Sequence, residues 1–356
     1  MRKFLATFSC LVLIAAMASA ANPEQEKLAN RLLKDLKKGN PHERAEAAWD
    51  LGRIDWDPAV PALAEALKDT DRHVRANAAG ALWHLGEDSK PAEPALREAL
   101  KDDYGRVRVN AAGALLHLNV PKSQVIPALK EALNDPDSRS KAYAADMLLD
   151  LKVPAKDVVA AYEVALRDPN AEVRKDVMEI IHKGKNHPVE LAPALLRAMK
   201  DSEEQVRWMA TYNLGRIEPA SEDRLQALAE AYQDRSETVR QMAVSGLGRG
   251  KKNAVKYTPL LLGALKDRSA DVRKDAAEAL GEIGSATPDV ISGLLDVLKE
   301  KNSDVRREAA DALEKLGPAA KSAVPALKQF LAAEKDGFVQ AAIKRALSAM
   351  GEKVEW

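Results

Sequence analysis

The chain has a single cysteine, few aromatic residues and no net charge, and each shortage excludes a class of function. Cys10 is the only cysteine among 356 residues, and it lies in a leader that we expect to be removed. A mature chain without cysteine has no disulfide, no thiol nucleophile and no cysteine-ligated metal. The 54 basic and 54 acidic side chains cancel, which argues against a nucleic-acid partner because phosphate binding needs a basic excess.

Aromatic residues make up only 4% of the chain, although 46% of it is apolar. The core must therefore be built mainly from Ala, Leu and Val. Charged residues reach 30%, so a surface of mixed charge covers many small apolar contacts. This combination is typical of stacked helices.

The first twenty residues have the pattern of a secretory signal peptide. Arg2 and Lys3 precede an apolar run that is too short to span a bilayer, and a small-residue end of the A-x-A type follows at Ala18–Ala20. We predict that residues 1–20 are cleaved and that the mature chain, without a transmembrane segment, is exported. Its location would be periplasmic or extracellular if the source is bacterial. An uncleaved membrane anchor is the alternative.

The rest of the chain is built from internal repeats. Val-Arg pairs and their equivalents recur at intervals of 31 residues, then 33 seven times, then 34. Such a period predicts a repeat array, and we expect residues 21–356 to form a single one of about ten units. The units are centred on Arg44, Arg75, Arg108, Lys141, Arg174, Arg207, Arg240, Arg273, Arg306 and Gln340.

An acidic column runs in the same register as the arginine column. The acid stands six residues before the centre of its unit, at Asp69, Asp102, Asp135, Asp168, Asp201, Asp234, Asp267, Glu300 and Glu334. Each arginine would begin a helix close to its own acid and to the acid of the next unit. We therefore predict ion pairs that run along the stack. A charged binding surface is the alternative.

Each unit has the pattern of two helices. Leu63 and Leu67, four residues apart, mark an apolar stripe on the first helix, and Ala78, Ala79 and Leu82 mark the small-residue face of the second. Predicted N-caps of the second helix are Asn40, Asp71, Asp137, Asn170, Ser236, Ser269, Asn302 and Asp336. Glycines predicted to follow its C-terminus are Gly86, Gly284, Gly317 and Gly351. The fold class is therefore all-α, an α-solenoid of stacked helical hairpins.

The repeat resembles HEAT repeats, particularly the short type associated with phycobilisome lyases. The likeness is carried by strings of the form Asp…Val-Arg-x-x-Ala-Ala-x-x-Leu-x-x-Gly, such as Asp267 to Gly284 and Glu300 to Gly317. It implies the solenoid fold and ion pairs that tie adjacent repeats together. It does not specify a function, because the family includes scaffolds, adaptors and a few enzymes.

The second helices of a solenoid line its inner surface, which is where a partner is expected. Side chains pointing away from the core in early and middle units are of types enriched at interface hot spots. The predicted partner-binding residues are Trp49, Arg53, Asn77, His84, Asn110, His117, Tyr143, Met209, Tyr212, Arg216, Met242 and Arg249. Packing of these side chains within the stack is the alternative. In late units the same columns carry Asp275, Glu278, Glu282, Glu308, Asp311 and Lys315, as expected of a solvated face.

We therefore predict a non-catalytic, exported scaffold or adaptor that binds a protein or peptide. No phosphate loop, nucleophile elbow or H-E-x-x-H motif is present, so we expect no enzyme activity, no cofactor and no metal, and we expect a monomer. The alternative is an enzyme or lyase-like subunit with a metal or small-ligand site near His84 and His117, which share one column in adjacent units.

Overall fold

A computed structural model describes residues 23–354, and in that range it contains twenty α-helices, six short 3-10 helices and no strand. The predicted signal peptide lies outside these residues. The helices belong to two compact units, which divide between Val153 and Pro154. The all-α prediction is confirmed, and a single array over residues 21–356 stays a prediction.

The first unit contains four helical hairpins. Their first helices are α1 (Pro23–Lys38), α3 (Val60–Ala66), α5 (Glu93–Ala99) and α7 (Lys122–Ala132). Their second helices are α2 (Pro41–Arg53), α4 (Arg72–His84), α6 (Gly105–His117) and α8 (Ser138–Asp150). Successive second helices pack against one another, so residues 33 apart become neighbours in space.

The second unit contains six hairpins of the same kind. Their first helices are α9 (Val159–Ala165), α11 (Ala192–Ala198), α13 (Glu222–Ala231), α15 (Thr258–Ala264), α17 (Pro288–Val297) and α19 (Val324–Ala333). Their second helices are α10 (Ala171–Lys183), α12 (Glu204–Arg216), α14 (Glu237–Arg249), α16 (Ala270–Ile283), α18 (Ser303–Leu316) and α20 (Gly337–Ala349). None of the helices within residues 23–354 combines the length and apolar character needed to cross a membrane.

Small residues let the second helices approach closely. Ala78, Ala79 and Leu82 of α4 are fully buried. A Cβ added at Gly52 of α2 would lie 2.6 Å from the Cα of Ala81, so only glycine fits at that contact. This confirms the role of small residues in the core and explains the low aromatic content.

The predicted helix boundaries agree with the structure. Seven of the eight predicted N-cap side chains accept backbone N–H bonds, while Ser269 occupies its N-cap position without one. Gly86, Gly284, Gly317 and Gly351 all have positive φ, from 57° to 91°, where side chains other than glycine are strained. The capping side chains and the positive-φ glycines therefore set the start and the end of the second helices that carry them.

The acidic and basic columns form the predicted ladder, in which an arginine of one repeat pairs with the acid of the next. Nitrogen–oxygen distances in these pairs run from 2.6 to 3.3 Å. The pairs of the first unit are Arg44–Asp69, Arg75–Asp102 and Arg108–Asp135. Those of the second are Arg174–Asp201, Arg207–Asp234, Arg240–Asp267, Arg273–Glu300 and Arg306–Glu334.

Each of these arginines also hydrogen-bonds to the turn between the two helices of its own repeat. Arg240 donates to both carboxylate oxygens of Asp267 and to the carbonyl oxygen of Asp234 at 3.1 Å, while the Asp267 carboxylate accepts the Ser269 N–H at 2.9 Å. Hydrogen bonds from Arg306 lower the pKa of Glu334 to about 2. The charges of the ladder are therefore occupied by structural contacts, which confirms the structural interpretation of both columns.

Candidate partner-binding site

The second helices of the first unit surround one cavity of about 560 Å³. It is lined by Trp49, Gly52 and Arg53 of α2, Gly80, Ala81, Trp83 and His84 of α4, Arg106, Asn110 and His117 of α6, and Tyr143 of α8. Six of the twelve predicted partner-binding residues are among them: Trp49, Arg53, His84, Asn110, His117 and Tyr143. The structure therefore brings together residues that are up to about ninety positions apart in the sequence.

Two aromatic side chains of the cavity are open to solvent. Trp49 is 49% exposed and Tyr143 is 38% exposed, and among residues 23–354 the only other large aromatic side chain this exposed is Phe338, at 76%. In a chain with so few aromatic residues, two of three exposed ones thus face a single cavity. For these two positions the alternative of packing within the stack is wrong.

Trp83 also lines the cavity, and its indole packs against a glycine of the next repeat. A Cβ added at Gly113 would lie 2.5 Å from Cε2 of Trp83. The ring of His117 meets this indole edge-on, with centroids 6.3 Å apart. Gly113 therefore provides the space that lets Trp83 lie between α4 and α6.

Replacing Gly113 with alanine is expected to displace the Trp83 indole and to lower the free energy of unfolding by about 1–3 kcal/mol, because the added methyl overpacks the site. Near-UV circular dichroism and tryptophan fluorescence would report the displacement. Gly263→Ala is the control, since nothing lies within 4 Å of a Cβ at that helical position. Equal spectra and equal stability for the two variants would contradict this account.

The two predicted asparagines have a structural role. The side-chain amide of Asn77 donates to the carbonyl oxygen of Ala45 at 2.7 Å, and that of Asn110 donates to Ala76 at 2.8 Å. Each bond links one second helix to the preceding one. Asn77 does not line the cavity, whereas Asn110 both links α6 to α4 and contributes to the cavity wall.

In the second unit the predicted residues do not form a comparable open site. Met209 is only 5% exposed, so its assignment to an exposed face was wrong. Helix α12, which carries it, packs against both α10 and α14. Tyr212 lies 5.0 Å from the ring of His182, and the Arg216 guanidinium lies 5.3 Å above the Tyr212 ring. Packing within the stack thus applies to Met209 and, in part, to Tyr212.

The remaining positions of these columns also differ from the expectation. Met242 is half-buried, and Arg249 is exposed at the mouth of a different cavity. Asp275 is only 8% exposed, and burial raises the pKa values of Asp275 and Glu308. The prediction that the late acidic residues form an ordinary solvated face was therefore wrong for Asp275, because α16 is closely packed there, whereas Glu308 is half-buried.

His84 and His117 are exposed and line the same cavity of the first unit. Within residues 23–354 no group of three His, Cys, Asp or Glu side chains is placed to hold a metal ion. The edge-on contact of His117 with Trp83 gives this ring a packing role. A metal or small ligand at the pair stays a prediction without an observation in its favour.

Sequence reasoning missed five residues of the cavity: Gly52, Gly80, Ala81, Trp83 and Arg106. Trp83 lies one position before a predicted residue on the same helix, and only the room left by Gly113 turns its indole toward the cavity. Arg106 follows the start of α6, outside the predicted columns. Gly80 lies in a predicted column but has no side chain that would mark it. Gly113, in the repeat after Trp83, is the sequence feature that could have indicated the position of the Trp83 side chain.

The chain is similar to known repeat proteins over most of its length. A family model described as HEAT repeats matches residues 26–116, 158–248, 225–314 and 258–348. The crystal structure of an engineered protein matches with a TM-score of 0.55 and 22% identity, over 91% of this chain and 99% of the other. Kap121p matches with a TM-score of 0.52 and 16% identity, over 97% of this chain but 43% of its own.

These two structures support the solenoid fold alone, because their identities to this chain are low. No curated protein matches the chain. The family model, however, covers well over half of the sequence, in both compact units. The chain belongs to the HEAT-repeat family.

Proposed function

We propose that this protein is a non-catalytic scaffold that binds a protein or peptide through the cavity of its first unit. The observation that carries the proposal is the exposure of Trp49 and Tyr143 on one cavity built by four second helices. Exposed aromatic side chains that converge on a concavity are typical of interface hot spots. HEAT solenoids commonly serve as protein-interaction scaffolds, which is consistent with this assignment.

The charges around the cavity indicate the kind of partner segment. No aspartate or glutamate lines it, whereas Arg53 and Arg106 do. Arg53 lies 3.6 Å from Asp50 in an exposed pair, and Arg106 is half-buried. The cavity therefore suits a partner segment with an apolar side chain, which would contact the aromatic residues, and an acidic group, which would pair with the arginines.

We also propose that the protein is exported and acts as a monomer outside the cytoplasm. Support for export is the leader pattern of residues 1–20, which lies outside the described residues. The native protein should then begin at Ala21, as N-terminal sequencing would show. An N-terminus at Met1 would contradict the proposal that the protein is exported, but it would not affect the proposal that the cavity binds a partner.

Affinity capture from the native exported fraction, with the mature chain as bait, is the experiment that identifies the partner. We expect a protein that rebinds the purified chain in a two-component titration and that carries an acidic and apolar segment. A short peptide from that segment should compete with the whole partner. If every captured protein fails to rebind as a purified component, the proposed function is wrong.

A further inference from the structure

A second cavity, of about 600 Å³, lies in the second unit between α12, α13, α14 and the end of α16. Its lining contains five cationic side chains: Arg224, Arg249, Lys251, Lys252 and Lys315. Only two carboxylates join them, Glu218 and Glu282, and the latter already pairs with Lys315 at 2.7 Å. The lining of this cavity therefore carries more positive than negative side chains.

Arg224 is the unusual member of this set. It is only 5% exposed, its Nε has no acceptor, and its Nη2 donates one long bond of 3.4 Å to the carbonyl oxygen of Ile217. It forms no ion pair within residues 23–354, and burial lowers its pKa below the usual value. Burying a cation without a partner lowers the stability of the fold. An anion that binds the Arg224 guanidinium would offset this loss.

The arginines of the ladder show how this fold treats a buried guanidinium when its role is structural. Arg240, with a similar exposure of 6%, has a bidentate aspartate within 2.9 Å. Arg224 has no such partner and instead lines an open cavity. Arg249 and Lys251 also border a smaller cavity that contains Asp275 and Glu278, so their charges are shared with those acids. The unmatched charge is centred on Arg224.

We propose that this second cavity binds an oxyanion, a phosphate or carboxylate group of a small ligand, with Arg224 as the principal contact. A guanidinium matches the geometry of both groups. Lys252, which is exposed on the cavity rim, would attract the anion and hold its outer side. This site is independent of the aromatic cavity, and neither proposal needs the other.

The test uses the mature chain with sodium phosphate and sodium acetate as separate probes, each compared with sodium chloride at equal ionic strength. Saturable binding is expected with a Kd of about 1 mM or tighter, seen by calorimetry and as a rise in the melting temperature. Saturation by phosphate alone identifies a phosphate site, by acetate alone a carboxylate site, and by both a general oxyanion site. Each of these outcomes supports the proposal.

Arg224→Met, which keeps the side-chain volume and removes the charge, should abolish the saturable phase. Arg235→Met, at an exposed arginine of the same unit, should leave it unchanged. If Arg224→Met does not fold, Lys252→Met at the rim carries the test and should weaken binding several-fold. Absence of saturable binding to the wild type would overturn the proposal, as would saturable binding that survives in a folded Arg224→Met variant. If that variant does not fold, a Lys252→Met variant that binds as tightly as the wild type would overturn it.

Discussion

Replacing Arg174 with alanine is expected to lower the free energy of unfolding by about 3 kcal/mol, a loss typical of removing one partner from a nearly buried ion pair. The Arg174 and Asp201 side chains are 13% and 10% exposed, and two hydrogen bonds of 2.7 and 2.8 Å join them. The change leaves the Asp201 carboxylate without its cation. It also removes the bond from Arg174 to the carbonyl oxygen of Asp168. Thermal and urea unfolding followed by circular dichroism would measure the loss.

The matched control is Arg167→Ala. Arg167 lies in the same repeat, but its side chain is 58% exposed and reaches Glu163 only at 3.7 Å. Exposed pairs of this kind contribute at most about 1 kcal/mol, so the control should unfold close to the wild type. Removing Asp201 together with Arg174 should restore part of the stability, because no buried charge is then left alone. An Arg174→Ala variant as stable as the control would refute the structural role of the ladder.

The double replacement of Trp49 and Tyr143 with alanine is expected to weaken binding of the purified partner by at least about 30-fold. Truncation of a hot-spot aromatic residue typically costs about 2 kcal/mol or more. Trp49 is 49% exposed and Tyr143 is 38% exposed, so their loss should leave helical content close to that of the wild type and lower the melting temperature only slightly. Titration calorimetry with the purified partner would measure the change in Kd.

Phe338→Ala is the control for this variant. Phe338 is 76% exposed on α20 of the second unit, so the substitution removes exposed aromatic surface without touching the cavity. It should bind the partner with unchanged Kd. Equal binding by the double variant and the wild type would exclude the aromatic cavity as the interface. If Phe338→Ala weakened binding equally, the effect would come from a general loss of exposed aromatic surface and not from the cavity.

The fold could be predicted from the sequence because its determinants recur in nearly every repeat. The arginine and acid columns keep a separation of 27 or 28 residues between paired members, from Arg75 and Asp102 to Arg306 and Glu334. A contact that is repeated in register is visible without coordinates. The helix caps could be predicted for the same reason, since a cap depends only on residues within its own turn.

The site was predicted only in part, because exposure depends on neighbours that the repeat pattern does not specify. Trp49 and Met209 were both assigned to the inner surface, yet one is open to solvent and the other is buried. Trp83 reaches the cavity only because Gly113 lies one repeat further on. The unpaired state of Arg224 could not be predicted at all, since the lack of a partner is a property of the folded chain.

Hydrogen–deuterium exchange of the free chain and of its complex with the captured partner would locate the partner-binding surface. We expect slower exchange on binding in the second helices of the first unit, α2, α4, α6 and α8, and strongest around Trp49 and Tyr143. Their first helices, α1, α3, α5 and α7, should change little. Protection confined to residues 154–354, or confined to the first helices of the first unit, would contradict the assignment of the cavity as the partner-binding site.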